Sequence, residues 1–385
     1  MKNDRLNFLL ALLIYSPTLI VLPQSIMYII ISAIGGAFLL VDIKKRNLYK
    51  QDFILFIFVL LTAIVYFATS PISNVASRSA NDFIPYTIFL LTTIFFSRHL
   101  NDRVMHIILY IICFEILIGI IEYFVLKQAY IIKPSVTGET EFGESQLLYY
   151  NRVYGLSQAV SILAYKVFIG IILVFFLKIK KYKFLIIALL LVGLYITFNR
   201  TAIVGSIMFL GIYGISQLQK VKFGYKIILA IFLVILTYYI GANSDAIMNQ
   251  FLRGKEGDLS GRDMIFPYFF DFIKNNLLLG NNIHKMWGKV GDSVYHAHNS
   301  YLQSLANLGI IFFILLWIYI LSFMKKNNLI FLIPILIYSS FQYGILWGVS
   351  FMDIIFFYLL FKSQNKKILS KNENTTSTSI FPRRR

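Results

Sequence analysis

The chain has little of what a water-soluble enzyme of its length carries. Charged residues make up only 14% of its 385 positions, and acidic residues number 18 against 36 Lys and Arg. A soluble globule needs about 25% charged residues to face water. There is one cysteine, Cys113, inside an apolar run. That excludes an internal disulfide and any paired-Cys metal site. No Walker phosphate loop and no His-Glu-x-x-His appear, so neither ATP hydrolysis nor a zinc hydrolase is indicated. The acidic trio Glu139, Glu141 and Glu144 reads as a solvated loop face before it reads as a cation site.

What is present is hydrocarbon. Hydrophobic residues reach 58%, aromatics 17%, and mean hydropathy is +0.72. The expected fold class is therefore an all-α integral membrane protein of about 12 transmembrane helices. The spans are expected near 6–22, 25–41, 53–69, 83–97, 104–126, 157–177, 184–199, 201–217, 225–241, 299–323, 329–344 and 346–361. The first run leads straight into a second, so it reads as a retained span and not as a cleaved signal. Residues 1–361 form one polytopic membrane domain, and 362–385 a disordered basic tail.

A net charge of +18 would ordinarily raise nucleic-acid binding. Here the positive charge is parcelled into short loops, so no nucleic acid is expected. One side receives Lys2 and Arg5, Lys44 to Lys50, Arg98 and Arg103, Lys178 to Lys183, Lys220 to Lys226, Lys325 and Lys326, and the Arg383–Arg385 tail. By the positive-inside rule that side, with both termini, is cytoplasmic. The long loops, about 127–156 and 242–297, then lie outside, with Glu139 and Lys255 among them. Long loops on a compact scaffold tend to carry function.

The polar residues near the outer ends are the chemical candidates. Arg200, in Thr197-Phe-Asn-Arg-Thr201, separates two spans by almost nothing. Its planar five-donor head suits phosphate oxygens, or it snorkels to lipid headgroups. Arg152 lies before the sixth span, as an anion contact or a solvated loop residue. Arg262 opens an aromatic stretch, Met264 to Ile273, expected to be an interfacial or re-entrant helix. His298 sits at the membrane edge, where Asn299 or Ser300 can cap the next helix. A neutral imidazole there can accept a hydroxyl proton, or serve only as a hydrogen-bonding group. Glu115 and Lys166 fall at similar depth on antiparallel spans and can pair, as a structural tie or as the floor of an outer cavity. Glu122 lies two turns above Glu115 on the same face. Asp353 has no obvious partner.

This ordered set resembles the O-antigen polymerase/ligase family. The features are the Thr-x-x-Arg turn, the Arg opening an aromatic segment, and His298-Asn-Ser-Tyr-Leu302 before a span. Arg152-Val-Tyr-Gly155 is similar to an arginine–glycine element of the same family. The resemblance covers about 145–325. It departs in having Asn199 where a Ser often precedes the arginine, and Leu156-Ser-Gln where Pro-Asn is frequent. The resemblance implies a GT-C-like, metal-independent glycosyltransferase with no cofactor. It gives Arg200 and Arg262, with Arg152 as a less firmly placed third, to the undecaprenyl pyrophosphate of a lipid-linked oligosaccharide donor, and His298 to the acceptor hydroxyl. It further implies the bacterial inner (plasma) membrane, and a chain-length regulator and flippase of the same pathway as partners. Polymerase is favoured over ligase, with a flippase or other transporter as the reading from another class.

Overall fold

The computed structural model describes residues 2–20, 24–73, 84–132, 147–218, 238, 241–252, 262–290 and 293–362. Long apolar runs with few charges become helices, because the helix satisfies every backbone group internally. They are α1 (Lys2–Tyr15), α2 (Gln24–Lys45), α3 (Asp52–Ala68), α4 (Tyr86–Arg98) and α5 (Asp102–Ile120), the last continuing as a π-helical turn, Ile121–Leu126. Then come α6 (Val160–Phe176), α7 (Lys183–Thr197), α8 (Arg200–Leu218), α9 (Ser244–Leu252), α10 (Arg262–Asn275), α11 (Ser300–Phe323), α12 (Lys326–Phe341) and α13 (351–362).

Among the described residues, four stretches are long and apolar enough to cross a membrane alone: Ile26–Lys45, Asp102–Leu126, Arg200–Leu218 and Ser300–Phe323. Helices α3, α4, α6, α7 and α12 are apolar but shorter. The expected span 225–241, apart from residues 238 and 241, and the tail beyond Lys362 lie outside the described residues, as do Glu139, Glu141, Glu144 and Lys255. The architecture is all-helical as expected, with one local exception. The second long loop contains an antiparallel hairpin, β1 (Gly288–Val290) and β2 (Ser293–Tyr295), pairing Gly288 with Tyr295.

Two span boundaries also need correcting. The first helix stops at Tyr15, where Ser16–Thr18 forms a 3-10 turn around Pro17 before Leu19 bridges to Ser157. The last begins only at 351 and runs through Lys362, one residue into the expected tail. At about 1.5 Å per residue it is too short to cross a ~30 Å core alone. Residues 346–350 instead wrap the Asp353 carboxylate. That carboxylate accepts the backbone N–H groups of Leu346 (2.5 Å), Trp347 (3.0 Å) and Gly348 (3.0 Å) and the Ser350 hydroxyl (2.9 Å). The partners of Asp353 are mainly backbone groups, which a search for opposite charges does not reveal.

α6 is buried over most of its length and forms the centre of the bundle, with α13 similarly enclosed. A helix apolar all round belongs in a protein interior. At one end of the bundle Arg98 ties α3, α4 and α11 together. Its guanidinium donates to both carboxylate oxygens of Asp52 and to the Tyr319 hydroxyl, and lies 4.5 Å from the Phe361 ring centroid on α13. At the opposite end the loops gather.

The break in α11 positions that loop end. Gly309 has φ 66 and ψ 175, so the helix is interrupted there. The freed backbone groups are taken up by the 277–283 segment: Asn281 N–H donates to Ala306 O (2.8 Å), Ile283 N–H to Asn307 O (3.1 Å), and Ile310 N–H to Leu277 O (2.8 Å). A Cβ on residue 309 would meet the Leu278 carbonyl oxygen at 2.2 Å. Gly309→Ala therefore combines a forbidden φ with a backbone clash, costing on the order of 2–5 kcal/mol. The expected result is a clearly lowered thermal midpoint for the detergent-solubilised protein. A wild-type midpoint would mean that the backbones do not meet as described.

Candidate active site

Four short turns build the site. α7 closes at Phe198, whose left-handed φ of 30 returns its N–H to Leu194 O at 3.0 Å. Asn199 then caps α8, its side-chain oxygen accepting from Ala202 N–H at 3.0 Å. Asn is as good an N-cap as Ser. Arg200 is thereby the first residue of α8, and its Nη1 donates to Phe251 O at 2.6 Å. Arg262 likewise opens α10, its Nη2 donating to Phe341 O at 2.8 Å. His298, at φ 49, precedes Asn299. The Asn299 side chain caps α11 by accepting from Tyr301 and Leu302 N–H at 2.9 Å each, and donates to Ser340 O at 2.8 Å.

Arg152 comes from a turn held on every side. Val153 N–H donates to Ile196 O (3.1 Å) and Tyr154 N–H to Ala129 O (2.9 Å). Glu122 accepts from Gly155 N–H at 2.8 Å, and Glu115 from Leu156 N–H at 3.1 Å and the Ser157 hydroxyl at 2.7 Å. Gly155 has φ 56, and a Cβ there would stand 3.0 Å from Glu115 Cγ, so both conformation and space call for glycine. Below the turn, Lys166 Nζ lies 2.9 Å from Glu115 Oε2 and donates to Ser157 Oγ at 2.9 Å; the Tyr15 hydroxyl donates to the same carboxylate. The structure brings Glu115 and Lys166 together as a fully buried pair. It is the footing of the Arg152 turn, and neither residue lines the cavity described next.

That cavity, of ≈ 390 Å³, is lined by Arg152, Arg200, Arg262 and His298, with Asn199 and Gln342 among its other walls. Among the described residues none that lines it is acidic. The first turns of α8 and α10 meet it, and the residues just before α11 join them. Helix N-termini carry partial positive charge and unpaired N–H groups, which adds to the three guanidinium groups. Such a set of groups is chemically suited to an anion with several oxygens. Burial first, then the nearby positive charge of Arg262, lowers the His298 pKa to about 4. The imidazole is therefore neutral at pH 7 and able to accept a proton.

The sequence places His296 two residues before His298, further from the helix that anchors it, and so not as its replacement. Its ring centroid lies 4.2 Å from that of His298, and its Nδ1 accepts the His298 backbone N–H at 3.1 Å. Burial, then His298 and Lys285, lowers its pKa to about 3. Nothing in a single sequence separates such a histidine from a loop residue. Among the described residues no group of three His, Cys, Asp or Glu could hold a metal ion.

Residues 185–318 match the family model described as O-Antigen ligase. That stretch contains Arg200, Arg262 and His298, while Arg152 precedes it. That match covers about a third of the chain and is consistent with the O-antigen polymerase/ligase family. No curated protein matches the chain.

Proposed function

We propose that this protein is a surface-polysaccharide polymerase. It transfers a glycan from undecaprenyl pyrophosphate to the hydroxyl of another lipid-linked repeat unit, on the outer face of a bacterial plasma membrane. The observation that carries this reading is the convergence of Arg152, Arg200, Arg262 and His298 on one cavity at the loop end of an apolar helical bundle. The acceptor oxygen attacks the anomeric carbon of the donor sugar. The bond from that carbon to the pyrophosphate oxygen breaks, and the electron pair leaves with the pyrophosphate. The hydroxyl proton passes to His298. Arginines supply fixed charge for the leaving group, and His298 supplies general-base help. The prenyl chain needs a lipid-embedded scaffold, which the exposed apolar helix faces provide.

A ligase, with lipid A core or a protein as acceptor, uses the same chemistry and is favoured by the description of the matched family. A transporter would gather charge near the bilayer midplane, whereas these charges gather at one end. The test is direct. Purified protein is given the lipid-linked repeat unit isolated from its source cells, with and without lipid A core. Longer lipid-linked glycans support polymerase, transfer only to the core supports ligase, and no transfer to either sinks both.

The sidedness is tested separately. With Cys113 replaced, a cysteine at exposed position 289 should react with an impermeant thiol reagent in intact spheroplasts, and one at exposed position 180 should not. The reverse pattern would put the arginine cavity on the cytoplasmic face and end the proposal.

A further inference from the structure

Beside the arginine cavity lies a second, of ≈ 300 Å³, which shares Ser161 and Gln342 with it. Its lining is of a different chemistry. Among the described residues no arginine contributes; Tyr28, Tyr165, Tyr343, Trp347 and Phe351 do, with His296 and Ser350 among the polar groups. We propose that this second cavity is the acceptor subsite, which holds the terminal sugar of the acceptor glycan stacked on Trp347 and Tyr343 and hydrogen-bonded by His296. The proposal rests on the glycan-transfer reading above and names where that reaction's nucleophile comes from.

Three observations carry it. The first is the combination of aromatic faces with hydroxyl and imidazole groups. A sugar ring presents flat C–H faces and a rim of hydroxyls, so it is matched by aromatic planes plus hydrogen-bonding edges. A prenyl chain would need neither His296 nor Ser350. The volume agrees, since it lies at the small end for ligand pockets, about 300–1,000 Å³. That suits one or two sugar rings better than a long prenyl chain.

The second observation is rigidity. Tyr343 and Trp347 lie 4.4 Å apart between ring centroids, and His296 stands edge-on to Trp347 at 5.9 Å. The Trp347 backbone is pinned by Asp353, and Lys285 Nζ sits 4.4 Å from the Trp347 ring centroid. A stacking platform loses little entropy on binding when it is already fixed. This also gives the buried Asp353 a role: it holds the loop that carries Trp347.

The third is the relation of the two histidines. His298 lines the arginine cavity and His296 the aromatic one. Because His296 Nδ1 accepts the His298 backbone N–H, its proton resides on Nε2. His296 is therefore a hydrogen-bond donor and a positioning residue, while His298 remains the proton acceptor. A sugar stacked in the aromatic cavity can direct a hydroxyl through the shared Ser161–Gln342 wall toward His298 and the donor's anomeric carbon. Bond making, bond breaking and the proton's destination are those already given.

The experiment measures binding apart from turnover. The probe is the free oligosaccharide of the repeat unit, without pyrophosphate or lipid, titrated calorimetrically into the full-length protein in detergent. Trp347→Ala should weaken binding about tenfold, the scale of one lost ring contact. Trp347→Phe should recover most of it. Ala159→Phe, which fills the cavity from the α6 side, should weaken binding without touching the aromatic platform, and Arg200→Lys should leave it unchanged. In turnover, His296→Gln should keep the donor KM and raise the acceptor KM less than His296→Ala does. Wild-type oligosaccharide affinity in both Trp347→Ala and Ala159→Phe would overturn the proposal, as would no binding by the wild type. Displacement of the oligosaccharide by undecaprenyl phosphate would instead make the cavity a prenyl slot. Intact, Trp347-dependent binding in a protein that transfers no glycan would remove the transfer reading while keeping a sugar site.

Discussion

Arg200→Lys and Arg262→Lys proteins are expected to insert normally and to lose about 10²–10³ in kcat each, the scale of one transition-state charge contact. The charge is unchanged in both variants, so the loss comes from geometry. Each guanidinium already spends one Nη on a backbone carbonyl, Phe251 O for Arg200 and Phe341 O for Arg262. Those bonds fix the plane of the fork, and a fixed planar fork matches phosphate oxygens in a way an ammonium does not. An ammonium is one point. It meets the carbonyl or the phosphate, but does not hold a plane between them. The readout is the glycan ladder from purified lipid-linked repeat units, in which both variants should stall at single repeats. Wild-type ladders would return these arginines to headgroup anchoring. Arg152→Lys should cost less, because the turn that carries Arg152 is fixed by Glu115 and Glu122 whatever its side chain does.

The arginine set was legible from sequence for a physical reason. An arginine between two apolar runs must find an anion, a headgroup or water, so its cost marks it out. The same cost exposes Glu115 and Lys166. Helix starts at Arg200 and Arg262 were legible too, because Asn199 is a strong cap and the aromatic block after Arg262 has a helical stripe, Ile265, Phe269 and Ile273, that is buried. The residues that went unread act through backbone. Asp353 is satisfied by N–H groups, and the break at Gly309 is satisfied by a loop about thirty residues earlier in the chain. Neither leaves an opposite charge or a periodicity to find. The Tyr343–Trp347 wall, and the place of His296 beside it, went unread for a related reason. They become a site only once the 342–350 loop folds back over α11, where Ser300 Oγ accepts the N–H groups of Gly344 (2.9 Å) and Ile345 (3.0 Å).

His298→Ala should reduce kcat by about 10²–10⁴, the range for general-base assistance, with His284→Ala near wild type. His284 is stacked on Tyr66 at 4.1 Å and lines neither cavity. The pH profile distinguishes a base from a merely structural histidine. In the empty site burial and Arg262 hold His298 at about 4. Because the base must be unprotonated, kcat/KM, which reports free enzyme, should stay level from pH 7 down to about 5 and fall below that. On the proposed reading, donor binding brings pyrophosphate beside the arginines. Its negative charge offsets Arg262 and favours imidazolium, so the acid limb of kcat, which reports the bound complex, should lie at higher pH than that of kcat/KM. The separation has a functional use: the histidine becomes a stronger base only when a leaving group is in place. His298→Gln, which keeps a hydrogen-bonding group, should not restore the limb. A kcat limb at or below the kcat/KM limb, or a limb unchanged in His298→Gln, would take the histidine out of proton transfer and leave it as the residue that starts α11.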